Sequence, residues 1–379
     1  MSDNKVKRIL IVAGEASGDL HGAGVVRELK KILPESMIYG IGGDRMQAEG
    51  MELIYHIREL SVMGFWEVIQ QLPVIRSVER TLQVLLKVRK PDVVLLIDYP
   101  GFNLRFAAQA KKEGVKVVYY ISPQIWAWNP GRVKKMIGNI DSMLVVFQFE
   151  EKIYSKVGIN VEFVGHPLLE VLDETLDRKQ FCTRFGLESD KLILGLFPGS
   201  RIQEIEKIFP SMLGASRILN KLYQIQIAVG VSSAIDIEYI NSFLHNDFPV
   251  KIIQQATHDL MKNADCAIVT SGTATLELGY YQTPMIIVYK TSWLSYIIGR
   301  ILVKIKNIGL VNIVAGEAVV PELLQWKVTP ERIARAASAL IDNLEFRKAM
   351  SSKLGVIRER LGEKGASKRV AQRIYSMIK

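Results

Sequence analysis

Asp98 ends the aliphatic run 92–97 (DVVLLI) and opens the stretch DYPGFN at 98–103. A side chain at the carboxyl end of a parallel strand faces the crevice in which open α/β sheets bind ligands, and a carboxylate there can take a proton from a substrate hydroxyl. The same group could instead cap the helix that follows. A second chemical station is SGTATLE at 271–277, which follows a strand at 266–269 and opens a helix. Small residues at Ser271, Gly272, Thr273, Ala274 and Thr275 let a phosphate approach a helix amino terminus, where unpaired amides and the helix dipole favour negative charge. Glu277, one turn further on, can reach the two hydroxyls of a ribose. Strand, small-residue helix start and acid together point to a nucleotide-sugar site.

Pro198-Gly199-Ser200-Arg201 forms a third station, where a backbone nest and the Arg201 guanidinium can hold a diphosphate. The first glycine-rich turn, GEASGDLHG at 14–22, reads differently. It lacks the GxGxxG spacing, and Glu15 would repel a pyrophosphate placed on the helix amino end. Glu15, Ser17 and Gly18 suit sugar hydroxyls better, although Ser17 or Asp19 could simply cap the helix. SPQIWAW at 122–128 sets Trp126 and Trp128 beside Gln124, a combination that fits carbohydrate, an acyl chain or a packed core.

The elements that must hold these residues alternate. Apolar strands are expected at Arg8–Ala13, 37–40, 92–97, 116–121 and 143–147, with a helix at 21–32. The second half repeats the plan with strands at 191–197, 226–230, 250–253, 266–269 and 285–288. Near-continuous Val, Ile and Leu runs separated by helices indicate parallel sheets buried on both faces. At 379 residues the chain is long for one core, and about 150 residues per domain suggests two doubly wound units joined near 165–167. Such units bind ligands at strand carboxyl ends, so a cleft between them is the expected site.

Hydrophobic residues make up 49% and charged residues 23%, which excludes a disordered chain. MSDNKVKRIL at the start has neither the apolar stretch nor the cleavage site of a signal peptide, and no apolar run reaches the roughly 18 residues of a membrane span. A cytoplasmic protein is therefore expected. Cys182 and Cys266 lie far apart and the five histidines are scattered, so no metal site is expected. The net charge of +10 is concentrated: residues 347–379 carry ten Lys or Arg against Glu359 and Glu363, and 290–306 carry Lys290, Arg300, Lys304 and Lys306 with no acid. Such patches attract nucleic acid or anionic headgroups, or are solvated helix faces. Residues 61–73 are apolar enough for a core helix. Residues 292–310 mix Trp293, Tyr296 and aliphatics with cations and could lie in a bilayer interface.

GEASGDLHG, DYPGFN, SPQIWAW, PGSR and SGTATLE occur in that order along the chain, and together they resemble the lipid A disaccharide synthase family over essentially the whole length. The resemblance implies a GT-B fold, two Rossmann-like doubly wound α/β domains facing across a cleft. Residues 1–167 would form the acceptor- and membrane-facing domain, completed by helices of about 347–379, and 168–346 the UDP-sugar domain. It implies inverting transfer of 2,3-diacylglucosamine from UDP-2,3-diacylglucosamine to the 6-hydroxyl of 2,3-diacylglucosamine 1-phosphate, giving a β-1,6 disaccharide 1-phosphate and UDP without a metal or cofactor. On that reading Asp98 is the general base. Arg201, with Gly199, Ser200 and the start at Ser271, Gly272, Thr273, Ala274 and Thr275, holds the leaving diphosphate. Glu277 binds the ribose, Asn312, Glu322 and Gln325 stand near the donor, and Glu15, Ser17 and Gly18 line the acceptor side. A Leu-Pro-Asn type sequence expected before 312 is here Leu310-Val311-Asn312, which leaves the local turn open. Because both substrates carry acyl chains, 61–73 and 292–310 would meet the inner face of the inner membrane, making the protein peripheral. The resemblance also implies a homodimer with exchanged C-terminal elements.

The nearest rivals are other GT-B enzymes on UDP-sugars, an epimerase or a peptidoglycan-type transferase, but an epimerase needs neither membrane-facing segments nor a basic tail. A nucleic-acid binder is disfavoured because no RNA- or DNA-binding module appears. The missing GxGxxG disfavours a hydride-transferring enzyme.

Overall fold

The computed structural model describes residues 6–59, 65–125, 131, 133–172, 175–244, 248–291 and 307–379, and over 65–72 it describes the backbone alone. The chain divides into two compact units, Met1–Val171 with Leu361–Lys379, and Leu172–Arg360.

The first unit holds a seven-stranded sheet of order β3-β2-β1-β4-β5-β6-β7, in which every neighbouring pair is parallel. Its strands are β1 Arg8–Ala13, β2 Met37–Gly42, β3 Glu52–His56, β4 Val93–Ile97, β5 Lys116–Tyr120, β6 Ser142–Val145 and β7 Val161–Phe163. β4 is wholly buried, and the core around it gathers Leu10, Val12, Leu96, Phe102, Phe106 and Tyr119. The second unit holds a six-stranded parallel sheet, β10-β9-β8-β11-β12-β13, built from β8 Leu192–Phe197, β9 Ile225–Val231, β10 Val250–Gln254, β11 Cys266–Thr270, β12 Met285–Tyr289 and β13 Glu322–Leu324. Both sheets follow the Rossmann order, in which the chain reverses direction across the sheet after its third strand.

β3, β7 and β13 carry no continuous apolar run and are not foreseen by the sequence pattern. Each is an edge strand of mostly half-buried residues, so only one neighbour and one face constrain its composition. The first helix differs from expectation as well. It spans Ala16–Ile32, so Ser17, Gly18 and Asp19 lie in its first turn instead of in a loop. Its small residues serve packing: a Cβ at Gly24 would collide with the Ser367 hydroxyl of the C-terminal helix Ala366–Ile378.

Residues 347–360 stay with the second unit. Ser351 donates to the Gln282 carbonyl at 2.8 Å, Arg358 to that of Tyr280 at 2.7 Å and Arg360 to that of Val314 at 2.6 Å. The return to the first unit begins at Leu361, whose carbonyl accepts the His166 amide at 2.8 Å. Arg369 Nε then donates to the Val164 carbonyl at 2.8 Å, and Lys7 donates to that of Ile378 at 2.6 Å. Much of the basic tail is therefore occupied in satisfying the fold's own carbonyls.

Candidate active site

In the first unit, β1 and β4 are hydrogen-bonded neighbours at the point where strand order reverses. That pairing brings the turn after β1, Gly14 and Glu15, beside the turn after β4, Asp98 and Tyr99. The Tyr99 ring lies against Gly14, where any Cβ would overlap it. Asp98 and Tyr99 both take left-handed backbone, with φ of 46° and 47°. This costs a non-glycine residue roughly 1 kcal/mol or more. The surroundings hold it in place. The Asp98 amide donates to the Tyr120 carbonyl at 3.0 Å, and the Asp98 carbonyl accepts from Asn103 Nδ2 at 2.7 Å and Tyr119 Oη at 2.6 Å.

Asp98 is half-buried. Burial first, and the neighbouring Glu15 carboxylate second, push its pKa up from 3.8 to about 6, against the backbone hydrogen bond from Tyr99. The result is a carboxylate that is ionised at neutral pH yet more basic than an ordinary aspartate, as a general base requires. Glu15 and Ser17 are exposed and Gly18 is buried. Glu15 precedes the helix in extended conformation and makes no side-chain cap bond. Asp19 does not cap its own helix. Its carboxylate accepts the amides of Gly43, Arg45 and Met46 at 2.7, 3.2 and 3.1 Å and so caps the next helix, Asp44–Ala48.

The second unit repeats the arrangement. β8 pairs with β11, which sets Gly199, Ser200 and Arg201 beside Thr270 and the turn 271–273. Gly199 has φ of 112°, a region that strains any residue with a Cβ, and a Cβ there would also meet the Glu204 carboxylate. Arg201 is 67% exposed and pairs with Glu204 at 3.2 Å. Because Glu204 already sits in the first turn of the helix Ile202–Leu222, that amino end is partly neutralised. The other helix start is more open. The first amides to bond within the turn are those of Thr275, Leu276 and Glu277, and nothing lies within 4 Å of a Cβ built on Gly272. Ser271 is half-buried and Thr273 exposed, ahead of the helix Ala274–Tyr280. Thr270 Oγ1, buried at the end of β11, has no hydrogen-bond partner among the described residues, so an incoming polar atom would satisfy it. Burial pushes Glu277 up to about 7, with His258 Nε2 at 4.0 Å from its carboxylate.

Asn312, Glu322 and Gln325 come together differently from the other donor-side residues. The buried Asn312 amide donates to the Val320 carbonyl at 2.9 Å and to Glu322 Oε1 at 2.8 Å, and its oxygen accepts the Val320 amide at 3.0 Å. Glu322 also accepts the amides of Ile308 and Gly309 at 2.9 and 3.0 Å. Gln325, with its amide oriented to suit its neighbours, bonds the Thr291 amide and carbonyl at 3.2 Å each. Glu322 and Gln325 hold the backbone at Ile308, Gly309 and Thr291, and Asn312 ties the helix Leu310–Ala315 to Val320 and Glu322, which fixes the turn before Asn312. Their polar atoms face their own chain, which is a positioning duty.

Gln124 is exposed and Ile125 buried, while Trp126 and Trp128 lie outside the described residues, as do 61–64 and 292–306. Among the described residues no three His, Cys, Asp or Glu side chains gather as a metal ion would need. Tyr99 and Asn103 join the first unit's turns and Thr270 and His258 those of the second; none of the four is among the candidate site residues above, although Thr270 stands directly ahead of the stretch 271–277. Tyr99 and Asn103 stood in the DYPGFN stretch. His258 carried no local signal, since only helix packing brings it to Glu277.

Comparison with solved structures places the fold among GT-B proteins. A UDP-GlcNAc 2-epimerase from Neisseria meningitidis, bound to UDP-GlcNAc, matches with a TM-score of 0.63 and 14% identity over 97% of this chain and 100% of that one. CalG4, the calicheamicin glycosyltransferase, matches with a TM-score of 0.62 and 13% identity over 99% and 98%. In sequence, the lipid-A-disaccharide synthase of Trichlorobacter lovleyi is 42% identical over 100% of this chain and 99% of its own. That of Syntrophus aciditrophicus is 44% identical over 98% of each. The family model described as lipid-A-disaccharide synthetase matches residues 9–374. By both full-length identity and family match, the chain belongs to the lipid-A-disaccharide synthase family.

Proposed function

We propose that this chain transfers 2,3-diacylglucosamine from UDP-2,3-diacylglucosamine to the 6-hydroxyl of 2,3-diacylglucosamine 1-phosphate, with inversion at the anomeric carbon. The observation that carries the chemistry is Asp98: a strained strand-end carboxylate raised to about 6, beside the exposed Glu15. Asp98 accepts the proton of the acceptor 6-hydroxyl as its oxygen forms the new bond to the anomeric carbon. The bond from that carbon to the UDP phosphate oxygen breaks, and its electron pair leaves with UDP. Arg201 and the amides opening the turn at Gly272 to Ala274 stabilise the charge on the departing diphosphate. Glu277 takes the ribose hydroxyls, Asn312, Glu322 and Gln325 hold the donor-side backbone, and Glu15, Ser17 and Gly18 line the acceptor side.

Among the described residues no helix is long and apolar enough to cross a membrane. We place the enzyme peripherally on the cytoplasmic face of the inner membrane, reaching its acylated substrates through 61–73 and 292–310, with no nucleic-acid partner. A homodimer that exchanges C-terminal elements fits the close packing of the helix Ala366–Ile378 on the first helix, since exchange would reproduce that contact from the partner copy.

The test is mass-spectrometric turnover of the two substrates by the wild type and by Asp98→Asn, with UDP binding followed by calorimetry. Disaccharide phosphate with stoichiometric UDP is expected from the wild type. Asp98→Asn should lose most turnover and still bind UDP. Undiminished turnover in that variant would remove Asp98 from the mechanism.

A further inference from the structure

We propose that His258 is a positioning residue of the nucleotide site, keeping the Glu277 carboxylate ionised and aimed for a ribose diol. This rests on the reading of Glu277 as the ribose acceptor. His258 lies in the first turn of the helix Thr257–Asn263, which follows β10, and Glu277 lies one turn into the helix Ala274–Tyr280, which follows β11. Their side chains meet at 4.0 Å, and each is about one-fifth exposed, at 22% and 19%. Both are thus reachable from solvent while shielded enough for one charge to matter to the other. The Tyr281 ring, with its centroid 6.3 Å from that of the imidazole, flanks the pair.

The other charged groups around Glu277 are engaged elsewhere. On the helix of His258, Asp259 accepts the Leu176 amide at 2.6 Å and Lys262 donates to the Thr175 carbonyl at 3.3 Å. Arg358 lies over the Tyr280 ring at 5.0 Å and donates to the Tyr280 carbonyl. The helix Leu310–Ala315 carries no titratable side chain, and Cys266 on β11 is a buried thiol pushed up to about 12. Among the described residues His258 is the cation-forming side chain in ion-pair contact with Glu277.

The chemistry follows from the direction of the hydrogen bonds. A ribose diol donates two O–H groups, so the ionised carboxylate accepts both, whereas a protonated one keeps a donor of its own. Burial alone drives Glu277 toward the protonated form, raising it to about 7. A protonated His258 beside it opposes that drift. Without the imidazolium, UDP affinity should fall as pH drops through about 7, the value that burial alone sets. With the imidazolium the fall should begin at lower pH.

The experiment is UDP calorimetry between pH 5.5 and 9 on the full chain and three variants. Glu277→Gln, which has no carboxyl to titrate, supplies the baseline for the phosphate's own ionisation. His258→Gln should bind UDP roughly fivefold more weakly near pH 7, converge on the wild type at pH 9, and show its midpoint displaced upward. His258→Lys should restore the wild-type midpoint by restoring a cation. A uniform loss at every pH, or an unmoved midpoint, overturns the role of His258. A wild type that binds no UDP at any pH overturns the nucleotide reading, and this inference with it.

Discussion

Replacing Glu15 by Gln removes a charge beside Asp98 and leaves a side chain of the same shape. Asp98 rises from 3.8 to about 6, with burial the larger cause and Glu15 the next. Burial survives the substitution, so less than half of the rise should disappear, a downward shift of roughly half to one pH unit. The ionised carboxylate is the working form. Activity therefore climbs with pH through the Asp98 pKa, and Glu15→Gln moves that acid limb to lower pH. A less basic Asp98 is also a weaker proton acceptor, so the plateau should fall by about two- to threefold. The assay is kcat/KM from pH 4.5 to 9 at constant ionic strength. Phosphate ionisation of the substrates is common to both enzymes, so the difference between the two limbs isolates Asp98. Because Glu15 is exposed, the shift should also shrink at high salt. An acid limb that stays in place, or moves to higher pH, would refute the coupling of the two carboxylates.

Gly14→Ala forces the Tyr99 ring away and should destabilise the protein by about 1–3 kcal/mol while depressing kcat; a thermal midpoint equal to the wild type's would show that the ring is not confined there. Asn312→Ala leaves the Val320 amide and the Glu322 carboxylate short of partners and should cost about 2–4 kcal/mol, read as a lowered thermal midpoint. If that variant melts like the wild type while losing UDP affinity, Asn312 touches the donor instead of bracketing the chain. Replacing Arg300, Lys304 and Lys306 by Ser should weaken binding to anionic liposomes, each lost cation removing about 1 kcal/mol near the surface; unchanged sedimentation with vesicles rules out that segment as the membrane contact.

Much was legible in the residues alone. The buried strands announced themselves because a parallel strand covered on both faces must be apolar throughout, as at Val93–Ile97 and Cys266–Thr270. The stations at strand carboxyl ends followed from that, and with them Asp98, Arg201 and Glu277. The edge strands β3, β7 and β13 escape the pattern for the converse reason, and the first helix starts five residues ahead of its expected beginning because GEASG at 14–18 has the composition of a turn.

Other features belonged to the tertiary structure. Charge counting marked 347–379 as a basic patch, yet Arg358, Arg360 and Arg369 are bonded to carbonyls from distant parts of the chain. The family resemblance sets Asn312 and Glu322 near the donor, but their atoms are turned onto their own chain. The raised basicity of Asp98 depends on burial and on Glu15, brought together by the β1–β4 pairing in the first unit, while helix packing within the second unit brings His258 to Glu277. Sequence determines which residue types stand at strand ends, because burial and backbone geometry act locally. Which of those residues face one another, and hence which charges shift which, depends on strand order and helix packing between residues far apart in the chain.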